Sequence, residues 1–139
     1  MSFVKEYVLD ANALIRYFQN HAGAEIIEKL IERAQRDDAR LSISAVNLGE
    51  VLYTLAKSIG LDRTTAYIQA LGQSVETVPI DQEFALAAAK IKSQYKLGYA
   101  DSIAALLAMR RRGTLVTADP DCIKLGRQFK ILALPRHVQ

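Results

Sequence analysis

Five short apolar runs, spaced by segments with helical periodicity, limit what this chain can fold into more than any other feature. The runs are Lys5–Asp10, Arg40–Ser44, Val75–Ile80, Leu115–Thr117 and Ile131–Leu134. Between them, Ala13–Gln19 reads as a short helix. Ala24–Gln35 places Ile27, Leu30, Ile31 and Ala34 on one helical face. Val46–Ser58 is a helix ended by Gly60, and Asp62 is expected to cap another that runs to about Leu71. Asp81 is expected to cap a helix through Phe84, Ala88, Ile91 and Tyr95. A long helix follows from about Tyr99 to Arg112, with Gly113 at its C′ position. A short helical stretch around Cys122–Gly126 precedes the last run. Strands separated by helices require right-handed crossovers. The expected fold is therefore α/β: a three-layer α/β/α sandwich on a mostly parallel five-stranded sheet. Its active site is expected beyond the carboxyl ends of the strands, at the switch point.

The length of 139 residues suits a single domain over residues 1–139. Half the residues are hydrophobic, enough to bury a core. The longest stretch without Lys, Arg, Asp or Glu, Thr64–Val75, is too short and polar to span a bilayer. Residues 1–10 contain Lys5, Glu6 and Asp10, so no signal-peptide apolar stretch is expected there. One cysteine, Cys122, excludes an internal disulfide framework, and two histidines, His21 and His137, argue against a closed Cys/His zinc site. These features fit a soluble, cytoplasmic protein with no membrane association. Charge is uneven: residues 90–139 hold ten of the 18 basic residues and three of the 15 acidic ones. A basic half suits a polyanion, but solvated helix faces and cations at helix C-termini explain it as well.

Most acids have simple structural roles. Glu25, Glu28 and Glu32 repeat along one exposed helix face, and Asp37 and Asp38 lie in a turn. Four do not. Asp10 ends the first strand, and Asp119 ends the fourth in Thr117-Ala118-Asp119-Pro120-Asp121. Glu50 sits in an apolar helix with no Lys or Arg from Leu41 to Ala56. Asp101 sits in Tyr99-Ala100-Asp101-Ser102-Ile103-Ala104-Ala105, with no Lys or Arg from Leu97 to Met109. Each taken singly also fits a local role. Asp10 or Asn12 fits a helix cap, Asp119 a turn initiator before Pro120, Glu50 a capping box with Asn47, and Asp101 a late helix cap. Taken together, two strand-end acids and two acids in apolar helices are costly unless something positive joins them. A hard divalent cation such as Mg²⁺ or Mn²⁺ is the natural partner. Converging carboxylates are what a one- or two-metal phosphodiester site requires. With strand order 3-2-1-4-5, strands one and four are neighbours, and Asp10 meets Asp119.

At these residues the chain resembles the PIN domains, and within them the VapC-type toxins of toxin–antitoxin pairs. The resemblance covers nearly the whole chain. It rests on Asp10-Ala-Asn12, Ser44-Ala-Val-Asn-Leu-Gly-Glu50-Val-Leu, Gly98-Tyr-Ala-Asp101-Ser-Ile-Ala-Ala and Leu115-Val-Thr-Ala-Asp119-Pro-Asp121, in this order. It implies a Mg²⁺- or Mn²⁺-dependent endoribonuclease. It also implies that Asp10, Asp101 and Asp119 bind metal and that Glu50 binds metal or orients water. Asp121 matches a position where a further acid is often found. Asn12, Ser44 and Thr117 match polar positions that support the carboxylates, Ser44 also fitting a helix N-cap. The run Asp119-Pro120-Asp121-Cys122 lacks the aromatic often seen just after this acid, and Cys122 reads as a small structural residue. Arg110, Arg111, Arg112, Lys124 and Arg127 then become candidates for carrying the RNA backbone past the metals, although arginines at a helix end also suit the helix dipole. The implied partners are an RNA substrate, a cognate antitoxin whose tail lies along the active-site groove, and a second copy in a homodimer. Tyr53, Tyr67 and Leu71 suit either such contacts or the core.

Other readings remain. A haloacid-dehalogenase-like phosphatase needs a second acid two residues after the first, where this chain has Asn12. A receiver domain needs an acidic pair before the first helix and a Lys after the last strand, and neither is evident. A housekeeping RNA-processing nuclease of the same fold, or a non-catalytic PIN-like binding module, would share most of these features.

Overall fold

The computed structural model describes residues 4–126 and 128–135. Five strands, β1 (Lys5–Leu9), β2 (Ala39–Ser44), β3 (Val75–Val78), β4 (Thr114–Thr117) and β5 (Ile131–Ala133), form one sheet. Their order is β3-β2-β1-β4-β5, and every pairing is parallel. Seven helices connect them: α1 (Ala11–Gln19), α2 (Ala24–Gln35), α3 (Ala45–Ile59), α4 (Leu61–Leu71), α5 (Gln82–Gln94), α6 (Tyr99–Arg110) and α7 (Pro120–Ile123). The expected architecture and strand order are both present.

Side chains alternate across each strand, and that alternation divides the core in two. Tyr7, Leu9, Leu41, Ile43 and Val116 point to one face and pack with Leu14, Ile27, Leu30, Ile31, Val51, Leu55 and Leu71 from α1 to α4. Val8 and Leu115 point to the other, with Phe84 and Ala88 of α5, Cys122 of α7 and the buried stretch Ile103–Ala108 of α6. Helix α6 is buried from Ser102 to Ala108 because it lies between the sheet and its covering helices. Its alanines let it approach the sheet closely. Among the described residues, no helix is long and apolar enough to cross a membrane.

Four helices begin directly on a capping side chain at the carboxyl side of a strand. Asp10, Ser44, Asp81 and Asp119 accept from the backbone N–H of Ala13, Asn47, Phe84 and Asp121, at 2.8, 2.9, 2.9 and 3.1 Å.

Two caps differ from expectation. Helix α4 starts one residue earlier, at Leu61 after Gly60, so Asp62 lies in its first turn and favours the helix dipole instead of capping it. Helix α6 closes in a Schellman motif whose left-handed residue is Arg112, at φ 52°, not Gly113. Gly113 donates back to the Ala108 carbonyl at 2.8 Å. Glycine is needed there because a Cβ would fall 2.9 Å from the Glu6 carbonyl oxygen as the chain enters β4.

Candidate metal centre

The period-two alternation that places Val8 and Leu115 against α6 also sends Asp10, Ser44 and Thr117 to that same face, at the carboxyl ends of β1, β2 and β4. Helix α6 runs back along the sheet from that end and brings Asp101 in its first turn. Helix α3 leaves β2 there and brings Glu50. Asp119 follows β4 by two residues.

Asp10 is buried, 2% exposed. One carboxylate oxygen accepts from Ala13 N–H at 2.8 Å, and the other accepts the Thr117 hydroxyl hydrogen. The same Thr117 oxygen accepts from Asp119 N–H at 3.0 Å. Thr117 therefore locks two neighbouring strand ends and their acids together. Burial pushes the Asp10 carboxyl up to about 6, against the lowering effect of Thr117 and Ala13; the charges of Asp119 and Glu50 add to the rise. Asp101 is pushed up to about 8, first by burial, then by a shared hydrogen bond and charge with Asp119, and by Asp10 and Glu50. Asp10 and Asp101 thus each feel the charges of the other acids of the quartet that surround them, Asp119 and Glu50, and among the described residues none of the four has a Lys or Arg within ion-pair distance.

Gly98 borders this cluster. A Cβ there would sit 3.3 Å from Asp101 Oδ2, so the glycine leaves that carboxylate uncrowded. Cys122 borders it too. Its Sγ donates to Asp119 Oδ2 at 3.6 Å, and ligand atoms of Asp101, Asp119 and Cys122 all lie within 4.8 Å of one another. Burial pushes the thiol well above its usual range, and the charges of Asp101, Asp119 and Asp10 push it further, so it stays protonated. Cys122 packs in the core, as a small structural residue would, but it also touches the acids, which the sequence reading left out.

The polar positions separate. Ser44 caps α3 and donates to Asn47 Oδ1 at 2.6 Å. Asn12 is exposed on α1, where its Oδ1 accepts from Arg16 Nε at 2.7 Å. Arg16 also donates to the carbonyls of Ala22 and Pro135. Asp121 sits in the first turn of α7, 4.0 Å from Lys124. Asn47 was missed as a site residue: it is 1% exposed, and its amide nitrogen donates to Glu50 Oε1 at 3.3 Å and to the Ala100 carbonyl at 3.1 Å. The available signal was an asparagine inside an apolar helix, three residues before Glu50.

Arg110, Arg111 and Arg112 are not gathered at the cluster. Arg110 and Arg111 close α6, about 15 Å of helix from Asp101. Arg110 makes two hydrogen bonds to Glu83 and lies over the Phe84 ring. Arg111 binds Glu76 through both terminal nitrogens at 2.9 Å and reaches Glu6 at 3.2 Å. Glu6 and Glu76 lie near the amino ends of β1 and β3, opposite the carboxylates. Arg112 is the exposed left-handed cap residue. These three arginines therefore lie at the end of α6 opposite Asp101, with Arg110 and Arg111 in ion pairs there. Lys124 is exposed beside α7, and Arg127 lies outside the described residues. Tyr53 and Tyr67 are exposed, Tyr67 stacking on Phe18, whereas Leu71 is in the core.

The model of the PIN domain matches residues 7–128. The chain belongs to the PIN domain family. Within this PIN domain the match spans Asp10, Glu50, Asp101 and Asp119. No curated protein sequence matches the chain. Solved structures share its fold. A VapBC2 from Rickettsia felis, solved with a DNA fragment of its promoter, superimposes with a TM-score of 0.70 at 17% identity, covering 94% of this chain and 99% of that one. A DNA-bound VapBC from Salmonella typhimurium gives 0.70 at 20%, covering 94% and 98%. A toxin–antitoxin complex from Klebsiella pneumoniae gives 0.66 at 20%, covering 95% and 99%.

Proposed function

We propose that this PIN domain is a Mg²⁺- or Mn²⁺-dependent endoribonuclease, the toxin of a toxin–antitoxin pair. One observation carries the reading: four carboxylates converge at the carboxyl end of the sheet, two of them with raised pKa values, and among the described residues no Lys or Arg forms an ion pair with them. The donor set is rich in carboxylate oxygen, which suits a hard divalent ion. Asp10, Asp101 and Asp119 would hold it, and Glu50 would hold it or orient water. When bound, the ion supplies an activated water and charge stabilisation for phosphodiester hydrolysis.

The chain's own residues do the rest. Thr117 fixes the separation of Asp10 and Asp119. Ser44 fixes the start of the helix that carries Glu50. Gly98 keeps one side of Asp101 open. For the RNA backbone, Lys124 stays a candidate, and exposed Lys96, five residues before Asp101, joins it. Asn12 and Asp121 are proposed to support the rim of the site. The structural neighbours solved as toxin–antitoxin complexes support a cognate antitoxin as partner, and we extend the reading to a cytoplasmic homodimer.

The test is incubation of the purified chain, free of antitoxin, with total cellular RNA under Mg²⁺, Mn²⁺ or EDTA. Discrete fragments that require metal and vanish in Asp101→Asn are expected, and sequencing their ends gives the target. RNA left intact under every condition would contradict the reading.

A further inference from the structure

We propose that Asn47 is a positioning residue: it sets the place of the Glu50 carboxylate relative to the helix that carries Asp101. The inference rests on the metal-centre reading and deepens it. Asn47 lies at the third position of α3, and its backbone N–H is already satisfied by the Ser44 hydroxyl at 2.9 Å. Its side chain is therefore not required to cap the helix. Asparagine in a helix interior competes with the backbone, so a fully buried one calls for another role. Here every polar atom of the side chain is used. Oδ1 accepts from Ser44 Oγ at 2.6 Å. Nδ2 has two hydrogens, one for Glu50 Oε1 at 3.3 Å and one for the Ala100 carbonyl at 3.1 Å. The reversed amide would set oxygen against two oxygens, so the direction is fixed by its partners.

Ala100 immediately precedes Asp101 on α6. One amide group therefore ties the end of β2, the Glu50 carboxylate of α3 and the backbone beside Asp101. Asp101 and Glu50 sit on different helices, and their like charges oppose close approach. Asn47 holds the two helices at a set distance before any ion binds. Groups behind a metal ligand that orient it commonly change metal affinity by about 10–100-fold when removed.

The test is a double-mutant cycle read by calorimetric Mn²⁺ titration of the full chain, without RNA. Asn47→Ala is expected to weaken Mn²⁺ binding about tenfold in the wild-type background and less than about twofold in Glu50→Gln. An equal loss in both backgrounds, or no loss in either, overturns the proposal while leaving the metal centre intact. A wild type that binds no Mn²⁺ overturns the metal centre itself. Should Asn47→Ala fail to fold, the side-chain amide signals of Asn47 in ¹⁵N-labelled protein replace it. They are expected to shift on Mg²⁺ addition in the wild type and to stay fixed in Glu50→Gln. Signals that ignore Mg²⁺ in the wild type, or respond equally in Glu50→Gln, overturn the proposal.

Discussion

The two ends of helix α6 treat charge in opposite ways. At its start, Asp101 faces Asp10, Glu50 and Asp119, and like charges crowd together. At its end, Arg111 joins Glu6 and Glu76, and Arg110 joins Glu83, so each acid has a partner. Among the described residues, α6 places its own arginines on acids at the far end, and no Lys or Arg forms an ion pair with the four acids at the first. A fold shaped for stability alone would not leave the first end unpaired. The difference separates a functional end from a structural one along a single helix.

Replacing an acid at the first end tests this most strongly. Asp101→Asn is expected to lower RNA cleavage by about 10²–10³-fold, the scale of losing one preorganised electrostatic contact, while the melting temperature rises. Cleavage gels and thermal melts of the same preparation check both. A melting temperature that falls would make Asp101 a structural acid like those at the other end.

The second effect is pH dependence without metal. Folded Asp10 keeps its proton to about pH 6 and Asp101 to about pH 8, whereas both lose it near pH 4 when unfolded. Between those values the folded state binds more protons, so stability falls as pH rises. Asp10 alone accounts for about 3 kcal/mol across its window. Mn²⁺ is expected to flatten this slope. Melts from pH 5 to pH 8, with EDTA or Mn²⁺, read it, and a slope unchanged by Mn²⁺ breaks the link between the raised acids and the ion.

At the other end, Arg111→Ala is expected to cost about 1 kcal/mol of stability by urea unfolding, with cleavage per folded molecule unchanged. The smallest effects concern RNA contact. Lys96→Ala is expected to reduce the salt dependence of RNA binding by about one unit of slope, whereas Arg110→Ala leaves it unchanged. Filter binding across a salt series distinguishes them. A larger loss for Arg110→Ala would move the RNA path to the far end.

What the sequence revealed follows the range of the interactions involved. Helix α2 and the five strands were legible because alternation and helical spacing are local patterns. The acidic quartet was legible because an acid without a nearby cation stands out in an apolar segment. The ion pairs of Arg111 were not, since Glu76 and Glu6 lie 35 and 105 residues away. Three consecutive arginines read alike in sequence, yet one binds Glu83, one binds two strands, and one takes a left-handed turn. Asp62 and Gly113 were misassigned because a helix boundary shifts by a residue without changing the local composition. The hydrogen bond from Asn47 to Ala100 spans 53 residues, and only the packing of α3 against α6 brings them together.

The carboxyl end is proposed to give up stability in order to hold a metal ion. The most direct test is thermal melting of wild type and Asp101→Asn at pH 7.5, each with EDTA and with Mn²⁺. Without metal, Asp101→Asn is expected to melt about 3 °C or more above wild type; with Mn²⁺, wild type gains and the variant does not. A variant that melts below wild type in EDTA, or gains as much from Mn²⁺, would contradict the claim.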